Sequence, residues 1–133
     1  MIVFVDTNVL VSVARFGAGT PALALAKATT HPNQAFVCDQ NLVELSQTFN
    51  RKFPHKLNLL QDFLADTLPQ LEVVRTPARQ LDEEAKIRDA DDRPILRAAI
   101  MVGADIIITG DKDFLESGIE VPRIVTPAEF LRG

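Results

Sequence analysis

Three aspartates in this 133-residue sequence stand where a fold could bring their carboxylates together. Asp6 directly follows the run Ile2-Val3-Phe4-Val5, Asp111 follows Ile106-Ile107-Ile108-Thr109-Gly110, and Asp92 opens the apolar segment that leads back into that second run. Carboxylates projecting from separate elements supply the several oxygen ligands that hard divalent cations require. Three or four of them, without paired His or Cys ligands, suit Mg²⁺ or Mn²⁺ rather than zinc. One or two such ions can activate a water and stabilise the leaving oxygen of an in-line phosphodiester displacement. Other chemistries have less to stand on. His31 and His55 both sit in Pro-flanked loop segments, no Gly-rich phosphate loop occurs, and no serine has a nucleophile-elbow setting.

The elements that must position these acids alternate between strand and helix. Ile2–Val5 is a continuous β-branched and aromatic run, as expected of a strand buried on both faces. Val9–Phe16 and Pro21–Ala28 read as helices, the second with Thr20 as N-cap and Pro21 at its first position. A short strand follows at Ala35–Val37. Asp39 can then cap a helix through Phe49 whose Leu42, Leu45 and Phe49 share one face. Leu57–Leu68 is amphipathic and bracketed by Pro54 and Pro69, Leu71–Val74 is a strand, and Leu81–Ile87 is a short helix with acids in its first turn. Ile95–Val102 is a helix buried on most sides and stopped by Gly103. Asp105–Ile108 is an interior strand, Arg123–Val125 an edge strand, and Pro127–Leu131 a last turn of helix. The expectation is one α/β domain over residues 1–133, a mainly parallel central sheet flanked by helices. Ligands in such sheets bind beyond the carboxyl ends of the strands, where Asp6 and Asp111 fall.

Each acid also has a plainer use. Asp6 could cap the first helix, Asp91 or Asp92 could cap the buried one, and Asp111 and Asp113 could be turn residues after Gly110. Glu44 lies opposite the Leu42/Leu45/Phe49 stripe and near Arg51, where a solvated glutamate ordinarily sits. Individually these residues decide little, but three aspartates reaching one sheet edge decide more.

Composition bounds the reading without directing it. With 47% hydrophobic and 24% charged residues the chain is ordinary for a globular protein. A single cysteine, Cys38, excludes an internal disulfide and makes a reducing, cytoplasmic setting the expectation. No export signal or membrane span is visible. The net charge of −4 counts against a nucleic-acid binder at face value, but carboxylates that share a cation reverse the local field.

Two stretches resemble the PIN-domain family. Val5-Asp6-Thr7-Asn8-Val9-Leu10 is similar to its opening motif, and Asp89-Ala90-Asp91-Asp92-Arg93-Pro94-Ile95-Leu96 followed by Thr109-Gly110-Asp111-Lys112-Asp113 is similar to its second half. Between them Val43-Glu44-Leu45 matches the helix carrying the family's middle glutamate. The resemblance spans residues 2–131 and is nearest to the ribonuclease toxins of bacterial toxin–antitoxin pairs. It implies that Asp6, Glu44, Asp92 and Asp111 are the metal-binding catalytic acids, with Asp113 an additional ligand and Thr7, Asn8 and Thr109 supporting them. It further implies metal-dependent cleavage of single-stranded RNA, a homodimer and a small antitoxin partner. Asp89 and Asp91 read as loop and cap residues. For an acidic protein to hold RNA, the basic segment Arg51-Lys52-Phe53-Pro54-His55-Lys56 and the flanking Arg15, Arg93 and Lys112 are the available phosphate contacts, although solvated helix ends would look the same.

Three other readings share parts of this pattern. A Mg²⁺-binding phosphoacceptor receiver domain needs an Asp at the end of its middle strand, whereas Leu71–Val74 runs into Arg75-Thr76-Pro77. A phosphatase using Asp6 as nucleophile would want a second Asp two residues on, where Asn8 stands. A binding-only module would use the acidic ring to hold a basic partner peptide.

Overall fold

The computed structural model describes residues 1–133. Its strands are β1 (Ile2–Val5), β2 (Gln34–Cys38), β3 (Glu72–Val74), β4 (Ile106–Ile108) and β5 (Arg123–Val125). Its helices are α1 (Thr7–Phe16), α2 (Thr20–Ala28), α3 (Asp39–Lys52), α4 (Leu57–Thr67), α5 (Arg93–Met101), α6 (Lys112–Leu115) and α7 (Pro127–Arg132). All strands pair in parallel in the order β3-β2-β1-β4-β5, with Val3 opposite Ala35 and Val5 opposite Ile108. The chain therefore builds outward from β1 to one side, then crosses back to build β4 and β5 on the other. The carboxyl ends of β1 and β4 lie next to each other at that reversal, the usual place for a ligand crevice.

Strand alternation divides the core into two layers. Val3 and Val5 of β1 face a cluster with Val9 and Leu10 of α1, Ala24 of α2, Leu45 and Phe49 of α3, Phe63 of α4 and Phe130 of α7. Phe4, between them, faces the opposite cluster with Cys38, Ile107, Ile95, Leu96 and Ala99 of α5, and Phe114 of α6. Helices thus cover both faces of a sheet in which Val3–Val5 of β1 and all of β4 are buried, as a parallel sheet requires. No single helix is long and apolar enough to cross a membrane.

Several boundaries differ from the sequence reading, for local reasons. α2 begins at Thr20, with Gly19 as its N-cap at φ 99°, a left-handed conformation that glycine adopts without strain. α3 begins at Asp39, so Asp39 is not the cap. Cys38 takes that position, its N–H donates to Asn41 Oδ1 at 2.8 Å, and Asp39 instead accepts from the Thr76 N–H at 2.8 Å. The segment expected to be a helix over Leu81–Ile87 is a 3₁₀ turn at Asp82–Lys86. Glu84 accepts from the Leu81 N–H at the start of this turn and also turns inward to Arg97 of α5, with contacts of 2.7 and 3.0 Å. Asp111 caps a short helix, α6, rather than an irregular turn, by accepting from the Asp113 N–H at 2.9 Å.

Candidate metal centre

Asp6 is placed by the last step of β1. Its backbone N–H continues the ladder to the Ile108 carbonyl at 3.0 Å, which fixes it beside the end of β4. The side chain is 3% exposed and each oxygen accepts one bond: Oδ1 from the Thr7 N–H at 2.8 Å, and Oδ2 from the Thr109 hydroxyl at 2.7 Å. Thr109 in turn accepts from the Asp111 N–H at 3.0 Å, so one buried hydroxyl joins the two strand ends. On the other side, the Thr7 hydroxyl donates to Glu44 Oε2 at 2.9 Å and accepts from Asn41 Nδ2 at 3.0 Å. Asn8 Oδ1 accepts from the Gly110 N–H at 3.2 Å, which clips α1 to the loop after β4.

Glu44 is therefore not a solvated residue of α3. It is half-buried, held by Thr7 and Gln40, and directed into the cleft. A helical wheel drawn for α3 alone could not show this, because α1 lies against the polar side of that turn.

Asp92 enters from a different element, the 3₁₀ turn Ala90–Asp92 before α5. It stands at the N-cap position of α5 but makes no side-chain capping bond. It is 9% exposed, and its Oδ2 is sealed from solvent with no hydrogen-bond partner. The helix-cap role open to it from sequence is not the one it fills. Asp89 accepts from the Asp91 N–H at 2.9 Å and so shapes this turn, while Asp91 is exposed.

Asp6, Glu44, Asp89, Asp92 and Asp111 all line one open cleft of about 490 Å³, with Thr7, Asn8, Ser12, Thr48, Arg51 and Lys52. Carboxylate oxygens of Asp89, Asp92 and Asp113 lie within 4.8 Å of one another. Asp89, read from sequence as a loop residue, thus joins the acids, and only the folded turn shows it.

Burial, and after it the crowding of carboxylates, makes their ionisation costly. Burial pushes Asp6 up to about 6, with Asp111 and Glu44 adding repulsion against the pull of its Thr109 and Thr7 bonds. Asp92 is pushed up to about 9, first by burial, then by the proximity of the Asp111 carboxylate and by the charges of Asp6 and Asp89. Burial also raises Glu44, and Asp91 and Asp89 add to it. Such a set holds protons when no cation is present and is well suited to exchange them for one. It offers oxygen donors only, several of them anionic, and one buried oxygen has no donor of its own. The residues therefore fit a Mg²⁺- or Mn²⁺-type ion and do not fit a soft-ligand metal.

Thr109→Val tests the strand-end link. The valine fills the same fully buried space but removes the largest pull on Asp6 toward ionisation. In chelator-treated protein, the Asp6 midpoint followed by carboxyl NMR should move upward from about 6. A midpoint that stays in place would mean that the Thr109 bond does not hold the Asp6 charge.

The basic residues separate into two groups. Arg51 and Lys52, at the end of α3, line the cleft beside the acids. Lys56 and Lys112 are exposed and stand off the cleft wall. Arg15 and Arg93, read from sequence as phosphate contacts flanking the motifs, do not line this cleft. Arg15 lies over the Phe53 and Phe16 rings at 4.3 and 4.7 Å, where cation–π attraction holds it. Arg93 donates through Nε to the Ile87 carbonyl at 3.0 Å and faces a separate cavity beside Glu84 and Arg97. Sequence reasoning missed Asn41 and the Glu84–Arg97 pair, since a buried Asn and a buried Arg differ in no local pattern from exposed ones.

Comparison with known proteins agrees with this architecture. The chain is similar in structure to VapBC2 from Rickettsia felis bound to a DNA fragment from their promoter, with a TM-score of 0.68 at 20% identity over 94% of this chain and 97% of that one. It is similar to FitAcB from Neisseria gonorrhoeae, with a TM-score of 0.69 at 18% identity over 95% of this chain and 98% of that one. It is also similar to VapC20 from Mycobacterium tuberculosis, a sarcin-ricin loop cleaving toxin, with a TM-score of 0.63 at 20% identity over 88% of this chain and 95% of that one. At these identities the likeness is one of fold. No curated protein sequence matches the chain. The family model of the PIN domain matches residues 2–113, from β1 through Asp113, and with both ends of the acidic cleft inside that match the chain belongs to the PIN-domain family.

Proposed function

We propose that this protein is a metal-dependent endoribonuclease that cleaves single-stranded RNA as the toxin of a toxin–antitoxin pair. The observation that carries the reading is the cleft at the β1/β4 reversal. It gathers Asp6, Glu44, Asp92 and Asp111, leaves one buried Asp92 oxygen without a donor, and has Arg51 and Lys52 on its wall. Asp6, Glu44, Asp92 and Asp111 would hold one or two divalent ions, with Asp113 as a further ligand. A cation of this kind supplies charge stabilisation and a more acidic water for phosphodiester hydrolysis. The chain's own residues supply placement. Thr109 and Thr7 fix the orientation of Asp6 and Glu44, and ligand orientation of this sort commonly changes metal affinity or activity by about 10–100-fold.

Arg51 and Lys52 would bind the phosphates next to the scissile one, which lets a protein of net charge −4 hold a polyanion locally. The open cleft suits a strand whose backbone can be bent into it, hence single-stranded RNA over a duplex. A small antitoxin, a homodimer and a cytoplasmic setting complete the proposal. The similar structures whose names describe a complex with promoter DNA and a loop-cleaving toxin support it.

Labelled single-stranded RNA should be cut in the presence of Mg²⁺ or Mn²⁺ and left intact with chelator, and a DNA of the same sequence serves as the comparison. Undiminished cutting in chelator would end the metal-dependent reading, while tight binding of RNA without cutting under any metal would favour the binding-only module. Reversing Arg51 and Lys52 to Glu should weaken RNA binding by at least about tenfold and reduce the slope of affinity against salt by roughly two. An unchanged slope would place the RNA path on another face.

A further inference from the structure

Arg88 stands at the rim of the acid cluster, one residue before Asp89. The preceding Ile87 is fully buried and its carbonyl is bonded by Arg93, so the backbone here is anchored. The Arg88 side chain is 70% exposed yet does not extend freely into solvent. Its Nη2 lies 2.9 Å from Asp113 Oδ1 and 3.1 Å from Glu116 Oε2, bridging to α6 and the residue after it. Asp113 belongs to the trio whose oxygens lie within 4.8 Å of one another. A guanidinium thus already occupies one carboxylate of a set suited to a cation. Asp92, in the same trio, keeps a buried oxygen that no donor of the chain reaches. The set is therefore incompletely neutralised by Arg88.

We infer that Arg88 is a displaceable internal counter-ion: it competes with a divalent cation for Asp113, and Glu116 is the partner that receives it when the cation wins. The inference rests on the metal-dependent reading of the cleft and adds the residue that sets how tightly its outer arm, Asp89–Asp92–Asp113, takes an ion. An exposed ion pair is cheap to break, because water and salt already screen it. A dication carries twice the charge of the guanidinium and can meet several carboxylates at once, which a single arginine cannot. Glu116 matters because it keeps the released arginine from being left unpaired, so losing Asp113 costs Arg88 only one of its two partners.

The simpler account is that Arg88 only ties α6 to the turn before α5, and Mn²⁺ titration calorimetry on the chelator-stripped full chain distinguishes the two. If Arg88 competes, Arg88→Gln should tighten Mn²⁺ binding about two- to fivefold. Glu116→Gln should loosen it about two- to threefold, since the guanidinium then rests on Asp113 alone. Within the Arg88→Gln background, Glu116→Gln should do nothing further, because its effect passes through the arginine. Both side chains are mostly exposed, and a thermal melt of each variant checks that it is folded. An affinity that is unchanged or weaker in Arg88→Gln overturns the inference. So does an additive double variant, which would mean two independent background charges. If the wild type takes up no Mn²⁺, the metal-dependent reading falls as well. If it takes up Mn²⁺ and Arg88→Gln leaves that unaltered, only the role of Arg88 is lost.

Discussion

Asp92→Asn should abolish cleavage while making the metal-free protein more stable. Asp92 is nearly buried, has no capping bond to lose, and is held up to about 9 by burial and by the Asp111 and Asp6 charges. Near pH 7 the metal-free fold must keep a proton on this group or accept the repulsion. The amide keeps the shape and removes the conflict. An increase of about 1–2 kcal/mol, or roughly 4–8 °C in Tm, is expected in chelator. Cleavage should fall by more than about 100-fold, beyond the loss typical for an outer supporting group.

The pH dependence has a fixed sign. Asp6 and Asp92 have folded values, about 6 and about 9, above their ordinary 3.8. The folded state therefore binds more protons than the unfolded state between about pH 4 and pH 9. Stability from these groups is fully present below about pH 4 and is lost as pH rises through the two folded values. Metal-free wild type should melt progressively lower over that range, and Asp92→Asn should show a shallower decline. A cation that binds only the folded form adds RT ln(1 + [L]/Kd), about 2.7 kcal/mol at a hundredfold excess, and the variant should gain less. Equal Mn²⁺ increments in both proteins would remove Asp92 from the metal centre.

The second large effect is on stability. Arg97 sits in the middle of the buried helix α5 and meets Glu84 through two contacts of 2.7 and 3.0 Å, while its Nη1 donates to the Pro77 carbonyl at 2.7 Å. The pair holds Glu84 below its ordinary carboxylate value. Breaking a buried pair by removing one partner strands the other charge and costs about 3–5 kcal/mol. Arg97→Ala should approach that cost and should also weaken Mn²⁺ binding, because the pair fixes the Pro77–Lys86 segment that leads into the Asp89–Asp92 turn. Replacing both partners, Glu84→Leu with Arg97→Met, should recover most of the stability, since no charge is then left alone. Chemical denaturation of the single and double variants measures this. A double variant as unstable as Arg97→Ala would mean that the bonds to the Pro77 carbonyl and the Leu81 N–H, not the ion pair, carry the effect.

The alternation of elements, the parallel sheet and the three aspartates at its reversal follow from residue order alone. Buried strands such as Ile2–Val5 and Ile106–Ile108 are continuous apolar runs, and in a parallel sheet the residue that ends such a run, Asp6, must emerge at the carboxyl edge. Those are local patterns, and they survive folding. The inward turn of Glu44, the inclusion of Asp89, the Glu84–Arg97 pair and the diversion of Arg15 and Arg93 from the cleft are of another kind. Each depends on which element lies opposite: α1 brings Thr7 to Glu44, α5 brings Arg97 to Glu84, and Phe53 brings a ring to Arg15. A polar side chain looks the same in sequence whether water or a distant residue satisfies it. Packing makes the difference, because a polar group withdrawn from water needs a partner that the chain supplies from far away, as half-buried Glu44 finds Thr7 across 37 positions.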